Sequence, residues 1–278
     1  MNICFIGGGN MATALIGGLL GRGFSAQQIS VVEINADNRT KLQRDFSVRT
    51  FDNIGEGVAG SQVIVFAVKP QQMQAIAVQL GPLLTGQIVL TIAAGIRLTD
   101  LARWLLVPNS NYVLVRAMPN TPALVGAGIT GLYSFPMLTQ QQRENIETII
   151  GAVGSFVWIH SEEDMDAVTA VSGSGPAYFF YFIEALEQAG KDLGLTEQTA
   201  RKLALETALG AAKLAHGSTE NAATLRARVT SKNGTTERAL LSMEANKVKQ
   251  HIITAVHAAA ARSREMGVEL GGGSGDRK

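Results

Sequence analysis

Two groups of residues carry the chemistry that this sequence advertises. The first is Ile6-Gly7-Gly8-Gly9-Asn10-Met11-Ala12, in which Gly7, Gly9 and Ala12 fit a G-x-G-x-x-G/A pattern between an apolar run and an amphipathic one. Such a loop turns tightly at its first glycine and lets a pyrophosphate approach the second. Its third small residue allows close helix packing, and the anion rests on free N–H groups at the helix start. Glu33 lies 21 positions beyond Ala12, where a carboxylate accepts a hydrogen bond from a ribose 2′-hydroxyl and repels a 2′-phosphate. The pair therefore predicts a dinucleotide site leaning toward NADH, although Arg39 offers a cation for a phosphate if the loop folds back. The second group is Ser231, Gly234, Thr235 and Thr236, where a loop gives way to a helical pattern. Its unpaired N–H groups and three hydroxyls suit a carboxylate, and the same residues also suit simple helix capping.

Other chemistries find little footing. His160, His216, His251 and His257 contain no i,i+4 pair, and a single cysteine cannot build a zinc site, so no metal is expected. Neither a G-x-S-x-G elbow, a Walker A loop nor a CxxC motif occurs. Cys4 sits in an apolar run and reads as a buried structural thiol. With 24 Lys and Arg against 23 Asp and Glu, the formal charge is +1, which leaves no basic excess to neutralise nucleic-acid phosphates. No run of 18 apolar residues and no basic leader is present, so a cytoplasmic protein that does not enter membranes is expected.

The elements that must position these residues fall into two regimes. Residues 1–160 alternate short apolar runs (Ile3–Ile6, Ile29–Glu33, Val63–Val68, Ile88–Ile92, Tyr112–Arg116, Gly128–Leu132, Ser155–Ile159) with amphipathic stretches such as Met11–Leu20, Ala36–Phe46 and Gln71–Leu80. Repeated βαβ units predict a doubly wound, mostly parallel Rossmann sheet. Gly17 and Gly18 inside the first helix predict close packing on that sheet. Residues 161–270 read as all-helical, over Glu162–Val171, Ala177–Leu193, Glu197–His216, Leu225–Val229 and Thr236–Met266. Gly194 marks a stop and Thr196 a start. The run from Tyr178 to Ile183 is apolar all round, which places its helix in a core or against a second subunit. Residues 271–278 form a glycine-rich tail, expected to be flexible.

Further motifs complete the pattern in order. Ala67-Val68-Lys69-Pro70 ends one strand, Ala93-Ala94-Gly95 the next, and Met118-Pro119-Asn120-Thr121-Pro122 the one after. Ser172-Gly173-Ser174-Gly175-Pro176-Ala177-Tyr178 opens the helical half, and Thr230-Ser231-Lys232-Asn233-Gly234-Thr235-Thr236 precedes the last long helix. Over about 265 residues the set resembles the pyrroline-5-carboxylate reductases.

The resemblance implies a Rossmann domain followed by an all-α dimerisation domain, with an active site between them that draws on both subunits of a homodimer or a larger assembly of dimers. It implies reduction of 1-pyrroline-5-carboxylate to L-proline, the last step of proline biosynthesis, with NADPH or NADH. The nucleotide would lie against Gly7 to Met11, Glu33, Ala67 to Pro70, Ala94, Gly95 and Met118 to Asn120. The imine carboxylate would rest on Ser231, Gly234, Thr235 and Thr236, with Ser174 nearby and Thr236 beside the imine nitrogen as the catalytic hydroxyl. The chain departs from the family where Lys232-Asn233 replaces the usual Pro-Gly, and where a His-Pro is missing from Ser218 to Ala222. Asn tolerates left-handed backbone, so the turn can survive.

Overall fold

A computed structural model describes residues 1–106 and 112–272. The described chain divides into two compact units, Met1–Ser174 together with the residues from Ala259 onward, and Gly175–Ala258. This division falls 14 residues beyond the composition change at 160, because the segment from Ser161 to Ser174 packs with the sheet.

The first unit is built on eight strands: β1 (Ile3–Ile6), β2 (Ile29–Val32), β3 (Arg49–Phe51), β4 (Val63–Phe66), β5 (Ile88–Thr91), β6 (Val113–Met118), β7 (Gly128–Phe135) and β8 (Gly154–Trp158). They form one sheet in the order β3-β2-β1-β4-β5-β6-β7-β8, parallel at every pairing except β6 with β7. The chain reverses direction across the sheet between β1 and β4, which is where doubly wound sheets bind ligands. Its helices are α1 (Asn10–Gly21), α2 (Ala36–Phe46), α3 (Ile54–Val58), α4 (Met73–Leu80), α5 (Leu98–Leu105), α6 (Gln140–Gly151) and the short α7 (Met165–Val168).

Side chains alternate across the strands, so each face builds its own core. Ile3, Phe5, Val63, Val65 and Leu90 meet Leu15, Ile16 and Leu19 of α1 and Ile146, Ile149 and Ile150 of α6 on one side. Cys4, Ile6, Ile64, Phe66 and Val89 meet Met73, Ala77 and Leu80 of α4 and Leu101, Trp104 and Leu105 of α5 on the other. Burial pushes the Cys4 thiol up to about 12, as befits a packing residue with no reactive thiolate.

The second unit holds α8 (Gly175–Asp192), α9 (Glu197–His216), α10 (Ala222–Arg228), α11 (Thr235–Ala245) and the first half of α12 (Val248–Leu270). Gly194 adopts φ +92° after α8, and the Thr196 hydroxyl caps α9 by accepting from the Thr199 N–H. A Cβ on Gly190 would lie 2.9 Å from that of Ala200, so small residues bring α8 and α9 together.

Several expectations need correction. The helix expected over Thr236–Met266 is two helices, broken where Lys247 takes φ 53° with no Gly or Pro to mark it. Glu162–Val171 is a 3₁₀ turn, then α7, then a π-turn over Thr169–Gly173. Gln71–Leu80 starts with a 3₁₀ turn over Pro70–Gln72 ahead of α4. The aromatic run does not reach the chain's own core: Phe179, Phe180 and Tyr181 are 69%, 65% and 76% exposed. Gly18 packs against the Ala152–Val153 turn after α6. Gly271, assigned to the flexible tail, is buried and its N–H donates to Gly267. The rest of that tail, 273–278, lies outside the described residues.

Candidate active site

The glycine loop leaves β1 as its pattern predicts. Gly7 takes φ +100°, and a Cβ there would lie 2.7 Å from the Ala67 carbonyl oxygen. Its N–H donates to Val32, tying the turn to β2. Gly9 is the opposite case: it is exposed, a Cβ would meet nothing within 4 Å, and it caps α1 with no side-chain hydrogen bond. No acid stands in the first turn of α1, where Asn10 is exposed and Met11 half-buried. Open N–H groups beside an open glycine at a helix start fit a dinucleotide pyrophosphate. Ala12 is fully buried, as its packing role requires.

Glu33 follows β2 directly. One carboxylate oxygen accepts from the Gly8 N–H at 3.1 Å and from the Asn38 amide at 2.9 Å, and the other accepts from the Asn35 N–H at 2.9 Å. Burial pushes its carboxyl up, but the bonds from Asn35, Asn38 and Gly8 outweigh this and hold it below the ordinary Glu value. Arg39 turns back onto the same strand end, where its guanidinium donates to the carbonyls of Glu33 and Ile34 at 2.8 and 3.0 Å.

The sheet order sets the ends of β1, β4, β5 and β6 side by side. Beyond β4, Ala67, Val68 and Pro70 are half-buried and Lys69 is exposed. Beyond β5, Ala94 is half-buried, while Gly95 adopts φ +74° and is crowded by Leu270 and Met266 of α12. Its glycine identity therefore answers to helix packing. Beyond β6, Pro119 and Asn120 are buried. The Asn120 amide donates to the Ser172 carbonyl at 3.1 Å and accepts from the Ile129 N–H at 3.0 Å. A Cβ on Gly173 would press on Met118, so the β6 end and the π-turn leading to Ser174 fit closely. Ser174 is half-buried and its N–H donates to the Thr169 carbonyl.

In the second unit, Asn233 takes φ 61°, the left-handed conformation that its side chain tolerates. Gly234 is the residue that caps α11, so no hydroxyl is needed for capping. Ser231 and Thr235 are exposed and Thr236 is half-buried. Glu237, in the first turn, accepts from the Asn233 N–H at 2.7 Å and so reaches back to the turn.

Arg116 and Glu162 were not foreseen as partners. Arg116 is buried in β6 and pairs with Glu162 at 3.0 Å, and the same Glu162 oxygen accepts from the Leu98 N–H at 2.7 Å at the start of α5. A lone arginine in a strand was the only sequence signal of a buried counter-ion. Among the described residues, no cluster of His, Cys, Asp or Glu could hold a metal, and no helix is long and apolar enough to cross a membrane.

Comparison with known proteins decides the family. The chain is 45% identical to the pyrroline-5-carboxylate reductase of Pseudomonas aeruginosa over 97% of its own length and 98% of that protein's. The chain belongs to the pyrroline-5-carboxylate reductase family. The Haemophilus influenzae reductase is 41% identical, over 95% of this chain and 97% of that one. Residues 162–266 match the family model described as pyrroline-5-carboxylate reductase dimerisation, and residues 2–95 match that of NADP oxidoreductase, coenzyme F420-dependent. The solved reductase from Coxiella burnetii superposes with a TM-score of 0.90 at 37% identity, covering 95% of this chain and 98% of that one. A Plasmodium falciparum pyrroline carboxylate reductase, solved with NADP bound, superposes at 0.84 with 28% identity, covering 96% and 98%. This reductase is accordingly an NAD(P)H-dependent oxidoreductase with a Rossmann domain and a helical dimerisation segment.

Proposed function

We propose that this reductase converts 1-pyrroline-5-carboxylate to L-proline, holding the nucleotide pyrophosphate at Gly7 to Met11 and the substrate carboxylate at Ser231 to Thr236. The observation that carries the reading is the pair of uncapped helix starts, Gly9 at α1 and Gly234 at α11, each with N–H groups free of side-chain caps. One suits a diphosphate and the other a carboxylate. A reduced nicotinamide, when bound, supplies hydride to C5 of the imine. The electron pair of the C=N π bond then passes to nitrogen, which must hold a proton.

Thr236 is the group we assign to that nitrogen, as a hydrogen-bond partner and relay. Its hydroxyl is a weak acid, so any proton that it gives must be replaced from water in the same step. Where the substrate arrives as its iminium, Thr236 only orients it, and positioning supplies most of the acceleration. Ala94, Gly95, Met118 and Pro119 offer the uncharged wall that a flat ring requires. The exposed aromatic face of α8 is covered by a second copy, giving a homodimer. Glu33 favours NADH over NADPH. The deciding experiment follows oxidation of NADH and of NADPH with pyrroline-5-carboxylate. Turnover with either supports the reading, and none from folded protein overturns it.

A further inference from the structure

Asn38 stands in the first turn of α2, away from the strand ends that face the nucleotide, yet it holds two of the nucleotide-facing groups together. Its side-chain N–H₂ donates to the loop-facing oxygen of Glu33 at 2.9 Å and to the Gly8 carbonyl at 3.1 Å. The Gly8 N–H donates to that same Glu33 oxygen at 3.1 Å. Both sides of one glycine-loop residue are thus bound to a single carboxylate–amide pair. The Asn38 backbone is fixed as well, its N–H donating to the Asn35 side chain at 2.9 Å. Gly8 leaves no slack: a Cβ there would lie 2.6 Å from Leu42, 3.1 Å from the Asn38 amide and 3.3 Å from the Glu33 carboxylate.

We propose that Asn38 is a positioning residue that sets nucleotide preference, by holding the Glu33 carboxylate in one rotamer against the glycine loop. This rests on the reading that Glu33 meets the adenosine ribose. Glu33, Asn35, Asp37, Asn38 and Lys41 line an open depression of about 500 Å³ on the β2 side of the loop. A carboxylate fixed there accepts from a 2′-hydroxyl and repels a 2′-phosphate. Without Asn38, Glu33 loses a side-chain donor and keeps the backbone N–H groups of Gly8, Asn35 and Ile34, which hold the carboxylate less firmly against the loop. The Arg39 guanidinium, held on the carbonyls of Glu33 and Ile34, then becomes the dominant charge at the strand end. Loss of this one amide should therefore cost NADH affinity and gain NADPH affinity.

The test is titration calorimetry of NADH and NADPH, without substrate, on the wild type, Asn38→Leu, Asn38→Ser and Glu33→Ala. Hydrogen bonds to a charged group are strong enough that removing one should narrow the NADH-to-NADPH ratio of Kd values about tenfold. Asn38→Ser guards against misfolding of the leucine variant, and thermal melting reports any general damage. A purely structural role would weaken both nucleotides by one common factor, and that result overturns the proposal. A ratio that moves in Glu33→Ala but in neither Asn38 variant overturns it too. A ratio unmoved in Glu33→Ala, or a wild type that prefers NADPH, overturns the Glu33 reading itself.

Discussion

The Asn120 side chain spans the carbonyl of Ser172 and the N–H of Ile129, at 3.1 and 3.0 Å, and is 8% exposed. It thereby fixes the end of β6 to the π-turn that carries Ser174. Replacing it with Ala leaves a part-buried donor and a part-buried acceptor unpaired, at no more than about 1–3 kcal/mol each. Asn120→Asp keeps the bond from Ile129 but turns an oxygen toward the Ser172 carbonyl. Both variants should melt earlier in calorimetry, and Asn120→Asp should also lower kcat while retaining its fold by circular dichroism. An unchanged melting temperature in both would remove Asn120 from the support of this loop.

Two glycines of one loop should respond in opposite ways. Gly7 combines φ +100° with an approach of 2.7 Å to the Ala67 carbonyl, so Gly7→Ala should destabilise by more than the roughly 1–2 kcal/mol of a left-handed side chain alone. Gly9 has ordinary backbone and open space around its Cα, so Gly9→Ala should leave chemical denaturation unchanged. The added methyl would stand where the pyrophosphate approaches, and the KM for nucleotide should rise. If Gly9→Ala bound nucleotide normally, the pyrophosphate would have to lie elsewhere on the loop.

Where the sequence was readable, a single period governed the segment. Ile3–Ile6 and Ala36–Phe46 coincide with β1 and α2 because buried strands are continuous apolar runs and α2 has Asn35 as its cap. Arg49–Phe51 escaped because three residues at a sheet edge carry no period, and α6 because the polar run at its start masks its period. The helix α5 was legible, since Leu98, Leu101, Trp104 and Leu105 recur at helical spacing, and was not among the expected helices. The break at Lys247 has only a weak signal, Asn246, which ends α11 and donates its side-chain amide to the Ser242 carbonyl before the exposed Lys247 takes φ 53°. The glycine loop and Glu33 were legible as chemistry. Asn38 and the Arg116–Glu162 pair were not, because their partners are distant or buried and nothing in local spacing announces them.

Thr236 can be separated from its neighbours by isosteric exchange. Thr236→Val keeps the β-branched shape and the helix, and removes only the hydroxyl. Loss of a group that acts at the reacting nitrogen should lower kcat, by about 10²–10⁴-fold if it relays the proton. Thr235→Val and Ser231→Ala, which remove hydroxyls proposed for the carboxylate, should act mainly on the KM for substrate. A normal kcat in Thr236→Val would take Thr236 out of the proton path and leave arrival as the iminium.

The aromatic face of α8 makes the last prediction. Phe179, Phe180 and Tyr181 are each about two-thirds exposed or more, and Leu203 and Leu209 of α9 are also half or more exposed. A monomer would leave this apolar surface in water, where burying each large side chain is worth about 1.5–3 kcal/mol. The 29.4 kDa chain should therefore run in light scattering at no less than twice its mass. Phe180→Asp places a charge within that face and should shift the population toward monomer at low protein concentration. Because Phe180 is 65% exposed in the single chain, its substitution should leave the helical spectrum of the monomer intact. Loss of that spectrum would mean that Phe180 supports the fold of the chain itself, and an unchanged mass would place the contact between copies elsewhere.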